Sequence, residues 1–390
     1  MRIVIVGGLR FELEWQDTVI DKPTGVPGHD NFGALSYPSV LYDSNDGLYK
    51  MWFAGWPHDY IYYGESNNIF GKFHWDYREQ AITPGPCDSE VPREPTHRGD
   101  LPVCNYRVTR VPPPFPETCA ATTVEKLSQM DSFLTADPCV LKVVVDNDGS
   151  KRYYMYYTGT SNNGSYNSIF FAESIDGKVW SKKYRAVRRD DNTVGICAPF
   201  IQAQSPDQIN NARGSYCAGQ SSVIQLPDRF YHYFTDTTVP DGESSVRLIR
   251  MTGPFDLDGW PPLGVPGLGG TEEYRFSSWD VKYHQPTNRM IAFTADYDAP
   301  DFGALRSGLR ISVSDQLIDT DPDAALSFGQ PVAIPIEDLG VPGSVMNNGG
   351  LLGSEVGWIL DGETAFYFGF GSDDANSWTI GAIRVQISTV

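Results

Sequence analysis

The amino-acid sequence predicts an all-β fold, a five-bladed β-propeller whose N-terminal strand completes the last blade. Two observations carry this prediction: a strand–turn–strand unit that recurs five times, and a composition rich in strand and turn formers. Aromatic residues make up 13% of the 390 residues, alongside 38 Gly and 28 Pro. That mixture suits many short strands joined by tight turns, and it is unlike a helical bundle.

In chain order, Phe11-Glu12-Leu13-Glu14-Trp15 alternates as a strand and precedes the first repeat, so it is the segment expected to tie the termini together. The first repeat is Tyr37-Pro38-Ser39-Val40-Leu41-Tyr42, a turn at Asp46-Gly47, and Tyr49 to Gly55. The second runs Asp137-Pro138-Cys139-Val140-Leu141, turns at Asn147-Asp148-Gly149 and continues Tyr153 to Gly159. The third is Gln220-Ser221-Ser222-Val223-Ile224, Pro227-Asp228 and Phe230 to Asp236; the fourth is Ser278-Trp279-Asp280-Val281-Lys282-Tyr283, Pro286-Thr287-Asn288 and Met290 to Asp296. The fifth is read as Glu355-Val356-Gly357-Trp358-Ile359-Leu360, Asp361-Gly362 and Ala365 to Phe370. Each unit reads as a β-hairpin, two β-branched or aromatic runs around a Gly-, Pro- or Asn-containing turn. Third strands follow in four copies, clearest in Ile169 to Ser174, Leu309 to Asp315 and Trp378 to Val385. A twisted sheet that is apolar on both faces needs a neighbour on each side, and a closed ring of blades supplies them. The chain is therefore read as one propeller domain over 1–390, with a Pro- and Cys-containing insertion around 80–130. A β-sandwich with long loops is the rival, and it gives no reason for a fivefold hairpin signature.

The formal net charge is −19, from 49 acidic and 30 basic residues. Neither a phosphate backbone nor an anionic lipid surface is attracted to such a chain, so no nucleic-acid or membrane partner is expected. Met1 to Gly8 has too short an apolar run to span a bilayer and no clear cleavage site. It lacks the glycine and helix that a dinucleotide-binding strand would need next. Of six cysteines, Cys87, Cys104 and Cys119 fall in the insertion with no C-x-x-C pair, so a disulfide there, and with it a secreted or periplasmic location, is the reading. Cys139, in an apolar strand, reads as a buried thiol.

In a propeller the starts of the innermost strands converge on the axis. Tyr37, Asp137, Gln220, Ser278 and Glu355 should thus surround one end of the channel, two of them carboxylic acids. Ala136-Asp137-Pro138-x-Val140, the strand ending Tyr157-Thr158-Gly159, and Ala172-x-Ser174-x-Asp176-Gly177-x-x-Trp180 resemble the five-bladed glycosidase superfamily that includes glycoside hydrolase families 43, 32, 62, 68 and 117. The resemblance covers most of the chain. It implies a carbohydrate substrate, a plant or algal oligo- or polysaccharide, and hydrolysis by paired carboxylates. In family 43 it would imply an Asp base in the first blade, an Asp in the second that tunes the acid, and a Glu acid in the third. Asp137 matches the second-blade position. Tyr37 and Gln220 replace the other two, so Asp30, in His29-Asp30-Asn31, and Glu355 or Glu273 are the substitute candidates. Gln220 and Tyr37 could bind the sugar by hydrogen bonds, and Trp56, Trp279 and Trp358 could stack on its apolar face, with core packing competing for at least one indole. Asp176 reads as a turn residue and His232 as a packed one. The chemistry requires no cofactor, and a structural calcium ion is compatible with it. Two alternatives stay open: a propeller that binds glycan or protein without hydrolysis, and a phosphorylase like those of family 130, which would need a basic cluster at the channel.

Overall fold

The computed structural model describes residues 1–21, 34–55, 60–82, 118–119, 131, 134–144, 149–160, 167–188, 195–198, 200–201, 217–237, 244–255, 262–268, 278–298, 306–315, 317–318, 327–360, 362–372 and 378–390. Arg2–Val6 (β1) and Leu9–Ile20 (β2) form a hairpin that belongs to the last sheet. The first blade is Leu35–Asp43 (β3), Leu48–Gly55 (β4), Tyr60–Ser66 (β5) and His74–Ile82 (β6). The short Thr118–Cys119 (β7) pairs onto the outer part of the second blade, which is Leu134–Val144 (β8), Lys151–Thr160 (β9), Asn167–Ser174 (β10), Ser181–Arg188 (β11) and Gly195–Ala198 (β12). Ala218–Gln225 (β13), Phe230–Asp236 (β14), Val246–Met251 (β15) and Leu263–Gly264 (β16) make the third. Asp280–His284 (β17), Arg289–Asp298 (β18), Arg306–Val313 (β19) and Val332–Pro335 (β20) make the fourth. The fifth runs Val345–Leu351 (β21), Glu363–Gly371 (β22) and Thr379–Thr389 (β23), then takes β2 and β1 as its outer strands. The predicted closure by the N-terminal strand is thus present, with Leu9 to Ile20 paired antiparallel to Thr389 to Ile380. Among the described residues no helix is long and apolar enough to cross a membrane.

Because both faces of each blade are apolar, the core lies between blades. Five clusters fill the five interfaces. Trp52 and Ile61 meet Tyr153 and Met155; Tyr156 and Phe171 meet Val223 and Ile249; Tyr233 and Leu248 meet Val281 and Met290. Phe293 and Ile311 meet Phe366 and Phe368, and Tyr367 and Ile380 return to Val40 and Phe53. At roughly 25 cal/mol per Å² of apolar surface removed from water, these interfaces are the main stabilising term.

The inner strands repeat one register around the axis. Ser39 Oγ accepts the Val140 N–H at 2.9 Å, Cys139 Sγ that of Val223 at 3.2 Å, Ser222 Oγ that of Val281 at 2.9 Å, and Asp280 Oδ2 that of Leu351 at 2.7 Å. The fifth member of this ring is Gly350, where a Cβ would sit 1.9 Å from the Pro38 carbonyl oxygen, so the place is open only to glycine. The fifth repeat of the sequence reading is corrected by this register. Its inner strand is Val345–Leu351, and Glu355 to Leu360 crosses the far end of the channel instead. There the Gly353, Glu355, Val356 and Gly357 carbonyls accept the N–H groups of Tyr42, Lys142, Gln225 and Tyr283, one from each of the other four blades. The segment closes that end of the axis as a plug. Apolar residues around a turn mimic a strand in sequence, whereas the true strand, rich in Asn and Gly, mimics a turn.

Candidate functional site

Three inner strands carry a β-bulge where the ring register begins, between Ser36 and Ser39, Ala136 and Cys139, and Gly219 and Ser222, and a fourth lies between Asn347 and Gly349. The bulged residues are Tyr37, Asp137, Gln220 and Asn348, all left-handed, with φ of 56°, 49°, 54° and 26°. A left-handed non-glycine residue costs about 1–2 kcal/mol. Four such residues at equivalent positions are a shared device, because a bulge re-aims a side chain that regular pairing would hold in the sheet.

All four face one depression at the mouth of the channel, together with Ser221, Ser278, Trp279 and Asp280. It holds about 360 Å³ of space, open solvent at its mouth included. Asp137, Gln220 and Asn348 are buried at its base, 7%, 6% and 6% exposed. Gln220 is fixed through its backbone, whose N–H donates to Thr158 Oγ1 at 2.9 Å, and its Oε1 is buried without a hydrogen-bond partner among the described residues. Asp280, the other carboxylate of the lining, has its oxygens occupied. Ser222 Oγ and Lys282 Nζ donate to Oδ1 at 2.8 and 2.6 Å, and the Leu351 N–H donates to Oδ2. So satisfied, it serves the ring of inner strands.

Asp137, Gln220, Tyr37 and Trp279 are therefore brought together as the sequence reading expects. Trp279 forms a wall, buried, with its Nε1 donating to the Leu268 carbonyl at 2.5 Å. Two expected site residues lie elsewhere. Glu355 belongs to the plug, where Ser44 Oγ donates to it at 3.0 Å and Lys151 pairs with it. Ser44 lies past the end of β3 opposite Tyr37, on the order of 20 Å along a strand rising about 3.3 Å per residue. Trp358 is also in the plug, its Nε1 donating to the Gln225 carbonyl at 2.7 Å and its ring set edge-on to Tyr283. Asp30, Glu273 and Trp56 lie outside the described residues, as do Cys87 and Cys104 of the expected disulfide and the side chain of Cys119. Ser278 also stands at the channel mouth as the sequence reading expects, whereas Asn348 and Ser221 are lining residues that it did not assign to the site. The signal for Asn348 is a polar residue two positions before the ring member Gly350, and Ser221 directly follows the slot residue Gln220.

The remaining singled-out residues have structural roles. Cys139 is a buried free thiol that burial pushes up to about 11, which makes it inert. Asp176 Oδ1 accepts the N–H groups of Lys178 and Val179 at 2.8 and 2.9 Å, holding the turn that lets Gly177 accept from both Trp52 and Trp180 indoles. Among the described residues no three His, Cys, Asp or Glu side chains gather to hold a metal ion, and no Lys, Arg or His lines the depression.

No protein-family model matches the sequence, and no curated protein matches it. Solved structures do match. An α-L-arabinofuranosidase from Podospora anserina, solved in complex with cellotriose, superposes with a TM-score of 0.51 at 10% identity, covering 96% of this chain and 97% of its own. A GH62 hydrolase in complex with xylotriose gives 0.53 at 12% identity, covering 95% and 97%. A fructofuranosidase from Schwanniomyces occidentalis complexed with fructosylnystose gives 0.52 at 13% identity, covering 95% of this chain and 59% of the enzyme. At such identities the likeness is one of fold: the chain is a five-bladed β-propeller of the architecture on which these glycosidases are built.

Proposed function

We propose that the chain is a glycoside hydrolase that binds an oligosaccharide end in the axial depression and cleaves it with Asp137 as one of its carboxylates. The observation that carries this reading is the convergence of four strained bulge residues on one depression, with a carboxylic acid among them and three glycosidases sharing the fold. Strain repeated at equivalent positions and directed to one cleft marks a site whose geometry matters more than its stability. Glycoside hydrolysis needs one carboxyl group to protonate the leaving oxygen and a second to activate water or attack the sugar. Asp280 does not fit either role, and Glu355 is at the other end of the axis. Asp30 and Glu273 remain the candidates for the partner, and a secreted or periplasmic location would suit an enzyme that acts on polysaccharide.

The test is turnover on a panel of aryl α-L-arabinofuranosides, β-D-xylosides and β-D-fructosides. Asp137→Asn is expected to lower kcat by about 10²–10⁴-fold, the usual range for a lost acid–base group, while ligand binding is retained. Asp30→Asn and Glu273→Gln then identify the partner by the same loss. Unchanged turnover in Asp137→Asn would remove it from the mechanism.

A second reading is a propeller that holds a sugar without cleaving it. It is favoured by Tyr37 and Gln220, non-acidic residues at the two slots where the resembling enzymes carry their base and acid. Saturable sugar binding by the wild type with no turnover on any of these substrates would select it. A phosphorylase is disfavoured among the described residues, since the depression has no basic lining to take phosphate.

A further inference from the structure

Behind Ser221, which lines the depression, stands a histidine that the proposed reaction does not use. His232 on β14 is fully buried in an aromatic cage, its ring 4.9 Å from Tyr156, 5.9 Å from Phe200 in a stacked pose and 5.6 Å from Phe234. Its Nε2 lies 2.9 Å from Ser221 Oγ, and its Nδ1 is buried with no hydrogen-bond partner among the described residues.

We infer that His232 is a positioning residue: its Nε2–H donates to Ser221 Oγ, which turns the Ser221 proton toward the ligand beside the Gln220 Oε1 acceptor. A neutral imidazole carries one N–H. With the proton on Nδ1, a buried donor would have no acceptor, which is the rarer and costlier defect. With the proton on Nε2 the donor is satisfied and only a lone pair is left over. The ring is neutral because burial pushes it down to about 3, and at pH 7 that makes the imidazolium about 10⁴-fold scarce. For the same reason Ser221 and His232 are not read as a nucleophile and base: among the described residues no carboxylate stands by to hold the proton in that apolar cage.

The consequence is a donor and an acceptor on adjacent residues of one bulge. Ser221 offers O–H and Gln220 offers C=O. Neighbouring hydroxyls of a sugar ring match such a pair, since one can accept from Ser221 while the other donates to Gln220. A fully ionised phosphate monoester could not serve Gln220, having no proton to give. The inference rests on the reading that a sugar fills the depression, but the proton position itself does not.

The deciding measurement is the tautomer of His232 in the ligand-free wild type, by two-bond ¹⁵N–¹H correlation, with the signal assigned by its loss in His232→Phe. A lone-pair Nδ1 and protonated Nε2 from pH 5 to 8 are expected. The opposite tautomer, or a charged ring in that range, would overturn the inference. Calorimetry with xylotriose gives the functional half. Ser221→Ala and His232→Phe should each weaken binding about tenfold, the double variant little further, and His232→Gln, which can still donate, should recover most of it. Wild-type affinity in His232→Phe beside a tenfold loss in Ser221→Ala would also count against it. A wild type that binds none of xylotriose, cellotriose and fructosylnystose would sink the sugar-binding reading while the tautomer still decides the inference.

Discussion

Asp43 has no exposed surface and stands between two ammonium groups, Lys50 Nζ at 2.7 Å and Lys142 Nζ at 2.6 Å, with the Tyr153 hydroxyl also bonded to it. Burial by itself would raise its pKa, but the Lys142, Lys50 and Tyr153 hydrogen bonds and the Asn45 N–H outweigh that and hold the carboxyl well below the usual range. Burial likewise opposes the charge on Lys50, and Asp43 and Asp46 more than restore it, so its pKa is raised. The stability contributed by Asp43 is thus complete above its unfolded value near 3.9 and is lost as the pH falls below it. That from Lys50 is complete below about 10.4 and is lost as the pH rises beyond. Asp43→Asn should cost about 3 kcal/mol at pH 7, because two buried ammonium groups lose the counter-ion they share, leaving Lys50 with Asp46 and Lys142 with Glu355 at 3.8 Å. The gap from wild type in urea unfolding should narrow as the pH falls from 4 toward 2. A gap constant over that range would show that the ionised carboxylate is not what matters there.

At the scale of the strand, most of the fold is written in a short local rule. Tyr37-x-Ser39-Val40, Asp137-x-Cys139-Val140, Gln220-x-Ser222-Val223 and Ser278-x-Asp280-Val281 each place a bulge or strand start, then a side chain that accepts the N–H of the next blade, then an apolar residue. Four inner strands and four slots were legible from that pattern. The fifth was not, because closing the ring brings backbones together and removes the side chains that signal a strand. At Gly349 a Cβ would lie 2.1 Å from the Phe366 ring, and at Gly350 1.9 Å from the Pro38 carbonyl. Seven residues later the sequence regains an apolar, strand-like pattern, so Glu355 and Trp358 took the place of Asn348 in the reading. Gly350→Ala is therefore expected to cost about 3 kcal/mol or more in thermal or urea unfolding, the upper range for overpacking. Gly149→Ala is the control: its φ is 80° but no atom lies within 4 Å of the added Cβ, so about 1–2 kcal/mol of backbone strain is all it should show. Equal losses would mean that ring closure does not depend on contact at Gly350.

Seen whole, the propeller has two unlike ends. At one, bulge residues from four blades open on a depression with polar groups at its base. At the other, the loop between β21 and β22 hydrogen-bonds to four blades and is fastened by Glu355 to Ser44, Lys151 and, at 3.8 Å, Lys142. Among the described residues the axis is thus closed at the plug end and open to a ligand at the bulge end, and any carboxylate assigned to chemistry must reach that end. Glu355→Gln should lower stability by about 1 kcal/mol, since Lys151 is partly in solvent, and leave ligand binding at the wild-type level. The most direct test of this polarity is a crystal structure of Asp137→Asn soaked with xylotriose. A sugar ring seated over the base of the depression, with hydroxyls within hydrogen-bond distance of Gln220 and Ser221, is the result the account predicts; a sugar bound beside Glu355, or on the outer face of a blade with the depression empty, would contradict it.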